Sequence, residues 1–202
     1  ARLTIWGCRG SLPTPGAETV RYGGNTSCVE VTLDDGEVLI LDAGTGIRGL
    51  GAELLERGIR HFHLLLTHLH LDHLEGLRFC GPLWDQGVSV DIWGPPSPVC
   101  SLRDRIARSF SPPLFPLDLR QVPAEIRFHD VPRQPWQLNG VTISAELVVH
   151  PGSTVGYRLE TPSSSFAYLP DHEPALVGAI ADKPRDWLSG GSLAEGVDLL
   201  LH

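Results

Sequence analysis

Residues 62–73 read FHLLLTHLHLDH, an apolar run that stops in three histidines and an aspartate within seven positions. No other stretch constrains the fold as tightly. The run has the length and character of a buried strand. Its end must open onto a place where imidazoles and a carboxylate find partners, because burying them unpaired is costly. His68 and His70 alternate by two, so on an extended or turning segment both rings face the same way. Asp72 and His73 follow on a turn entering a helix. A tetrahedral zinc takes about four ligands in all, and four candidates from one short loop crowd a single ion. Two ions a few ångströms apart, sharing the loop, fit better.

Two ions need ligands from elsewhere in the chain. His150 closes the apolar run ELVVH just before Pro151-Gly152, and Asp171 sits in SSFAYLPDHEP between a strand and a helix signal. Alone, His150 reads as a capped strand end and Asp171 as a helix N-cap. Beside the cluster both become candidate ligands, and a carboxylate can bridge two ions where an imidazole cannot. The other histidines read as structural or surface groups. His61 and His63 start the same strand, His129 stands alone, and His172 on a helix start points elsewhere.

The chain around these residues is rich in strands. RLTIWG, SCVEVTL, EVLILDAG, IRHFHLLLTH, VSVDIWG, EIRFHDV, VTISAELVVH, TVGYRLE, SSFAYLP and GVDLLLH carry strand patterns. DDG between the second and third signals a hairpin. IRGLGAELLERG, HLEGLRFCGPL, SPVCSLRDRIARSF and EPALVGAIAD read as helices, the first stopped by Gly58. Residues 109–125, with four prolines, read as an irregular excursion. The class is α/β (α+β). Two mixed sheets with helices outside fit the order of elements better than a doubly wound parallel sheet, and 202 residues suffice for one domain.

The net charge of −8 argues against broad adhesion to nucleic acid, which needs a basic face. Apolar stretches fall short of the roughly 18 residues of a membrane span, and ARLTIWGCRG lacks the order of a signal peptide. The expectation is a soluble, cytoplasmic protein. Cys8, Cys28, Cys80 and Cys100 show no CxxC pairing and read as reduced, small apolar residues.

THLHLDH, with Asp42 in LILDAGTG upstream and His150 and Asp171 downstream, resembles the metallo-β-lactamase fold superfamily of metal-dependent hydrolases, in order over nearly the whole chain. The resemblance implies a four-layer αββα sandwich with a dinuclear site, usually zinc, with manganese or iron as alternatives. It implies that His68, His70 and His150 hold one ion, that Asp72 and His73 hold the other, and that Asp171 bridges them. Asp42 takes the place of a carboxylate supporting a ligand from behind. His70, where flavodiiron proteins carry Glu, favours hydrolysis over redox chemistry. HPGSTVGYRLE replaces the HTPGH motif of glyoxalase II-like thioesterases. That form, with RYGGNTSC, looks like the branch of phosphodiesterases and tRNA 3′-processing endonucleases. The tRNA enzymes add a basic arm; here the basic cluster is Arg103, Arg105 and Arg108 on one helix, so a small phosphodiester is favoured as substrate over nucleic acid.

The family pattern continues past GVDLLLH with an acidic residue and a final histidine ligand, whereas this sequence stops at His202. Either the polypeptide runs on, or the second ion lacks a ligand, or His202 takes an unusual role. Otherwise the resemblance implies two zinc ions per chain that lower the pKa of a shared water towards ~7. On this hypothesis Asp72 is expected to orient the resulting hydroxide and accept its proton, and His202 to assist the leaving group. Hydrolysis of an ester, thioester or lactone by the same site is the alternative activity. A metal-binding protein without catalysis is the alternative class.

Overall fold

The computed structural model describes residues 1–175, 178–184 and 187–202. The chain divides into two compact units, Ala1–Asp130 and Val131–His202.

The first unit holds a six-stranded mixed sheet. Its strands, in spatial as in chain order, are β1 (Arg2–Gly7), β2 (Cys28–Thr32), β3 (Val38–Leu41), β4 (His61–Leu65), β5 (Ser89–Gly94) and β6 (Glu125–Asp130). β1, β2 and β3 pair antiparallel, the last two across the expected DDG hairpin with Gly36 at φ 91°. From β3 to β6 the pairing is parallel. Between β3 and β4 lies α1 (Ile47–Glu56), whose Ile47, Leu50 and Leu54 are fully buried. Each such side chain contributes roughly 1.5–3 kcal/mol by leaving water. Gly58, at φ 71°, ends the helix, and Ile59 N–H closes on the Leu54 carbonyl at 2.9 Å. Phe62 and Leu64 of β4 join α1 in one core with Val90, Ile92, Leu102 and Ile106. The opposite face of β4 carries His61, His63 and Leu65.

The second unit holds a five-stranded mixed sheet in the order β11-β10-β9-β8-β7. These are β7 (Trp136–Leu138), β8 (Val141–Leu147), β9 (Val155–Glu160), β10 (Ser165–Tyr168) and β11 (Leu199–Leu201). Only β10 and β11 pair parallel. The expected two mixed sheets with helices are therefore present.

Several local readings change. HLEGLRFCGPL splits into α2 (Leu71–Leu74) and two 3-10 turns, because Gly76 interrupts it. The helix from SPVCSLRDRIARSF shrinks to α3 (Leu102–Ala107), starting where the Ser101 hydroxyl accepts the Asp104 N–H at 3.1 Å. The helix expected over EPALVGAIAD does not form in its described residues, which hold only a 3-10 turn at Ile180–Asp182; Leu176 and Val177 lie outside the described set. Gly178 at φ 81° takes a conformation that no right-handed helix admits. β7 has no counterpart in the sequence reading, although Asn139-Gly140 announces it. Those two residues, at φ 47° and 80°, make the tight turn to β8. A last short helix, α4 (Gly191–Ala194), buries Leu193 against Leu169 and Val148.

Candidate metal centre

In the first unit β4 stops at Leu65, and residues 66–70 carry the chain to α2 without regular structure. The segment is pinned from behind by the turn that follows β3. Ala43 N–H bonds the His73 carbonyl at 2.8 Å, and Gly76 N–H bonds the Ala43 carbonyl at 3.0 Å. This approach tolerates no side chain at Gly76, where a Cβ would lie 2.0 Å from the Gly44 oxygen. Gly76→Ala is therefore expected to destabilise the fold by about 1–3 kcal/mol, read from the shift of the urea unfolding midpoint.

Asp42 is the hub of this half. It is fully buried, at the left-handed φ of 60°, a conformation aspartate tolerates better than most residues. Its Oδ1 accepts the Thr67 backbone N–H at 2.8 Å, and its Oδ2 accepts His73 Nδ1–H at 2.7 Å. The Thr67 hydroxyl lies 2.9 and 3.0 Å from the two oxygens and donates its single proton to them. Having donated, that hydroxyl accepts from His68 Nδ1 at 3.0 Å. One buried carboxylate thus sets two tautomers: His68 and His73 carry their protons on Nδ1 and turn Nε2 lone pairs away from Asp42. A metal-binding imidazole needs that arrangement. The sequence holds one signal for Thr67, its place directly before the first histidine.

His68 and His73 are buried and His70 is exposed. The His68 ring centroid lies 4.4 Å from His70 and 4.2 Å from His73. Asp72 Oδ2 is 3.6 Å from His73 Nε2 and accepts the Ser11 backbone N–H at 2.7 Å. Ser11 itself sits at φ 62°. No local pattern announces a bond between residues 61 positions apart. The four ligand candidates of the loop are thus gathered within the first unit.

The second unit gathers the others. Past β8, Val149 is tied at both ends: its N–H donates to Ser189 Oγ at 2.8 Å and its carbonyl accepts Glu173 N–H at 2.9 Å. This brings His150 Nε2 to 3.8 Å from Asp171 Oδ2. His172 turns to Ser189, its Nε2 donating to the carbonyl at 2.5 Å. Its Nδ1 is then an acceptor, and His202 Nε2 donates to it at 3.2 Å. Burial lowers the His172 pKa, the Ser189 bond opposing and His202 adding to the effect.

The donor set, imidazole nitrogens and carboxylate oxygens with tautomers already selected, suits divalent transition metals. Among the described residues, no helix is long and apolar enough to cross a membrane.

Known proteins resemble this chain in sequence and in fold. An uncharacterised protein of Mycobacterium tuberculosis is 29% identical over 207 residues, covering 99% of this chain and 66% of that protein. Ribonuclease Z of Staphylococcus carnosus is 25% identical over 175 residues, covering 81% of this chain and 50% of that enzyme. The chain thus spans between half and two thirds of these relatives. The crystal structure of human tRNase Z, short form, superposes with a TM-score of 0.62 at 19% identity, covering 99% of this chain and 76% of that one, which shows a shared fold. Residues 38–187 match the model of the beta-lactamase superfamily domain. Since that match takes in well over half of the sequence, the chain belongs to this family, in its metallo-β-lactamase fold.

Proposed function

We propose that the two units act together as one metal-dependent hydrolase domain that cleaves a small phosphodiester. In this reading His68, His70 and His150 hold one zinc ion, Asp72 and His73 hold a second, and Asp171 bridges them. The observation that carries it is the Asp42 hub, which fixes both His68 and His73 with Nδ1 protonated. A hydrogen-bonded loop end with no ligand to hold has no need of a buried carboxylate choosing two tautomers.

Bound divalent ions supply Lewis acidity towards phosphoryl oxygens and a water acidified to near neutrality. The rest falls to the chain. Ser11 N–H holds Asp72 Oδ2, which orients the carboxylate so that Oδ1 can take the proton of the attacking water. Asp42 and Thr67 keep the ligand imidazoles from rotating. His202, exposed and bonded through Nε2 to His172, would protonate a leaving oxygen from Nδ1 when its ring carries both protons. Two dications against the carboxylates of Asp72 and Asp171 leave positive charge in a protein of net −8, which draws an anionic substrate to one place.

Phosphodiester chemistry is favoured by the likeness to ribonuclease Z. A small substrate is favoured by the state of α3. Of Arg103, Arg105 and Arg108, Arg105 is committed to the Pro95 carbonyl at 2.6 Å and so is withdrawn from a basic face. The test is a substrate panel with zinc-loaded protein: bis(p-nitrophenyl) phosphate, p-nitrophenyl acetate, a thioester and a lactone. Turnover of the phosphodiester above the acyl substrates is the expected result; the reverse order would replace this reading with acyl hydrolysis.

A further inference from the structure

We infer that His61, His63 and Asp91 form a separate site for a divalent ion of the zinc class, on the face of β4–β6 that α1 does not cover. It shares no residue with the candidate centre and does not depend on the roles proposed there.

The site follows from register. Positions 61 and 63 of β4 share a face, and parallel pairing sets Asp91 of β5 beside His63 and Arg127 of β6 beside Asp91. One step further along, Trp93 lies beside His129. The ligand atoms of His61, His63 and Asp91 all fall within 4.8 Å of one another. The two rings stand edge to face, 4.8 Å apart at 87°. His61 Nε2 is 2.9 Å from Asp91 Oδ2. Two imidazoles and a carboxylate, with a place left for water, form a familiar zinc donor set.

The surroundings favour the ion. The His63 side chain is buried beside its two partners. Trp93 Nε1 reaches His63 Nδ1 across 3.4 Å, a long contact that an ion can displace. Arg127 already grips Asp91 with two bonds, Nε to Oδ1 at 3.0 Å and Nη2 to Oδ2 at 2.8 Å. His129 adds a third, at 2.7 Å to Oδ1, while its ring stacks on Trp93 at 4.3 Å. One guanidinium neutralises one carboxylate, so three further imidazoles are not there to compensate charge. Glu37 Oε2 lies 3.8 Å from His61 Nδ1, and Glu125 Oε1 lies 2.9 Å from Arg127 Nη1. With the ion in place of the proton between His61 and Asp91, His129 and Arg127 orient the carboxylate from behind, and Glu37 supports the His61 ring. His129, read from the sequence as solitary, belongs to this cluster.

The experiment counts zinc. Chelator-stripped protein of the full sequence is reloaded with zinc, freed of excess by gel filtration and assayed for bound metal by mass spectrometry, beside His61→Gln and His61→Ala. His61 is about a third exposed, so both variants are expected to fold, which far-ultraviolet circular dichroism verifies. Wild type is expected to retain one zinc per chain more than either variant. Zinc is also expected to raise the wild-type melting temperature by more than that of the variants. All three proteins keep the cluster around His68, so the difference stands whatever number of ions that cluster holds and whether or not it hydrolyses anything. Equal zinc content in wild type and folded variants overturns the site.

Discussion

Asp72→Ala is expected to abolish hydrolysis of bis(p-nitrophenyl) phosphate by the zinc-loaded protein. In the proposed reaction Asp72 is both a metal ligand and the group that takes the proton of the attacking water. Loss of a general base alone costs about 10²–10⁴ in rate, and loss of a ligand adds to it, so a fall of at least ~10³ in kcat/KM is expected. Stability should change little by comparison. Within the first unit the substitution removes one hydrogen bond, the one donated by Ser11 N–H, and truncation takes away the carboxylate along with its need for a partner. Initial rates under saturating zinc, paired with a thermal melt, separate the two effects. A variant that turns over within tenfold of wild type would sink the assignment of Asp72.

Asp42→Asn should damage the protein differently, through stability and metal affinity together. Asparagine keeps the shape and tolerates the φ of 60°, so the change isolates the charge. Its amide then turns an NH₂ towards a donor, because Thr67 N–H, the Thr67 hydroxyl and His73 Nδ1–H all need an acceptor there. Breaking a buried charged arrangement by altering one partner costs about 3–5 kcal/mol. At about 2–4 °C per kcal/mol for a chain of this size, the melting temperature should fall by roughly 10 °C. Freed from Asp42, His68 and His73 lose their tautomer preference, and zinc affinity should drop ~10–100-fold. Calorimetric melts with and without zinc, and competition against a chromophoric chelator, measure both. A stable Asp42→Asn protein with unchanged zinc affinity would refute the role of the hub.

The residues behind these two expectations differ greatly in how visible they are in the sequence. The ligand loop is legible because its information is local: an apolar run of strand length, then ligand types at short spacing. Asp42 is visible only through its likeness to a family pattern, since nothing near it says that Thr67 and His73 will hang from its oxygens. The helix expected over 173–182 fails in its described part for the opposite reason: apolar residues at helical spacing outweigh Gly178, whose left-handed backbone forbids the helix. β7 escapes the sequence reading although the Asn-Gly turn that makes it is in plain sight.

The sequence alone determined the classes of chemistry available: a strand run ending in imidazoles and a carboxylate, an acidic chain, and sheets with helices beside them. Periodicity and local spacing suffice for that, because they act over a few residues. Tertiary structure decided that His68 and His73 hang, through Thr67 and directly, from Asp42 and that His61, His63 and His129 converge on Asp91. Those outcomes depend on register between strands some 30 residues apart and on a left-handed turn at Asp42, neither of which any short window of residues encodes.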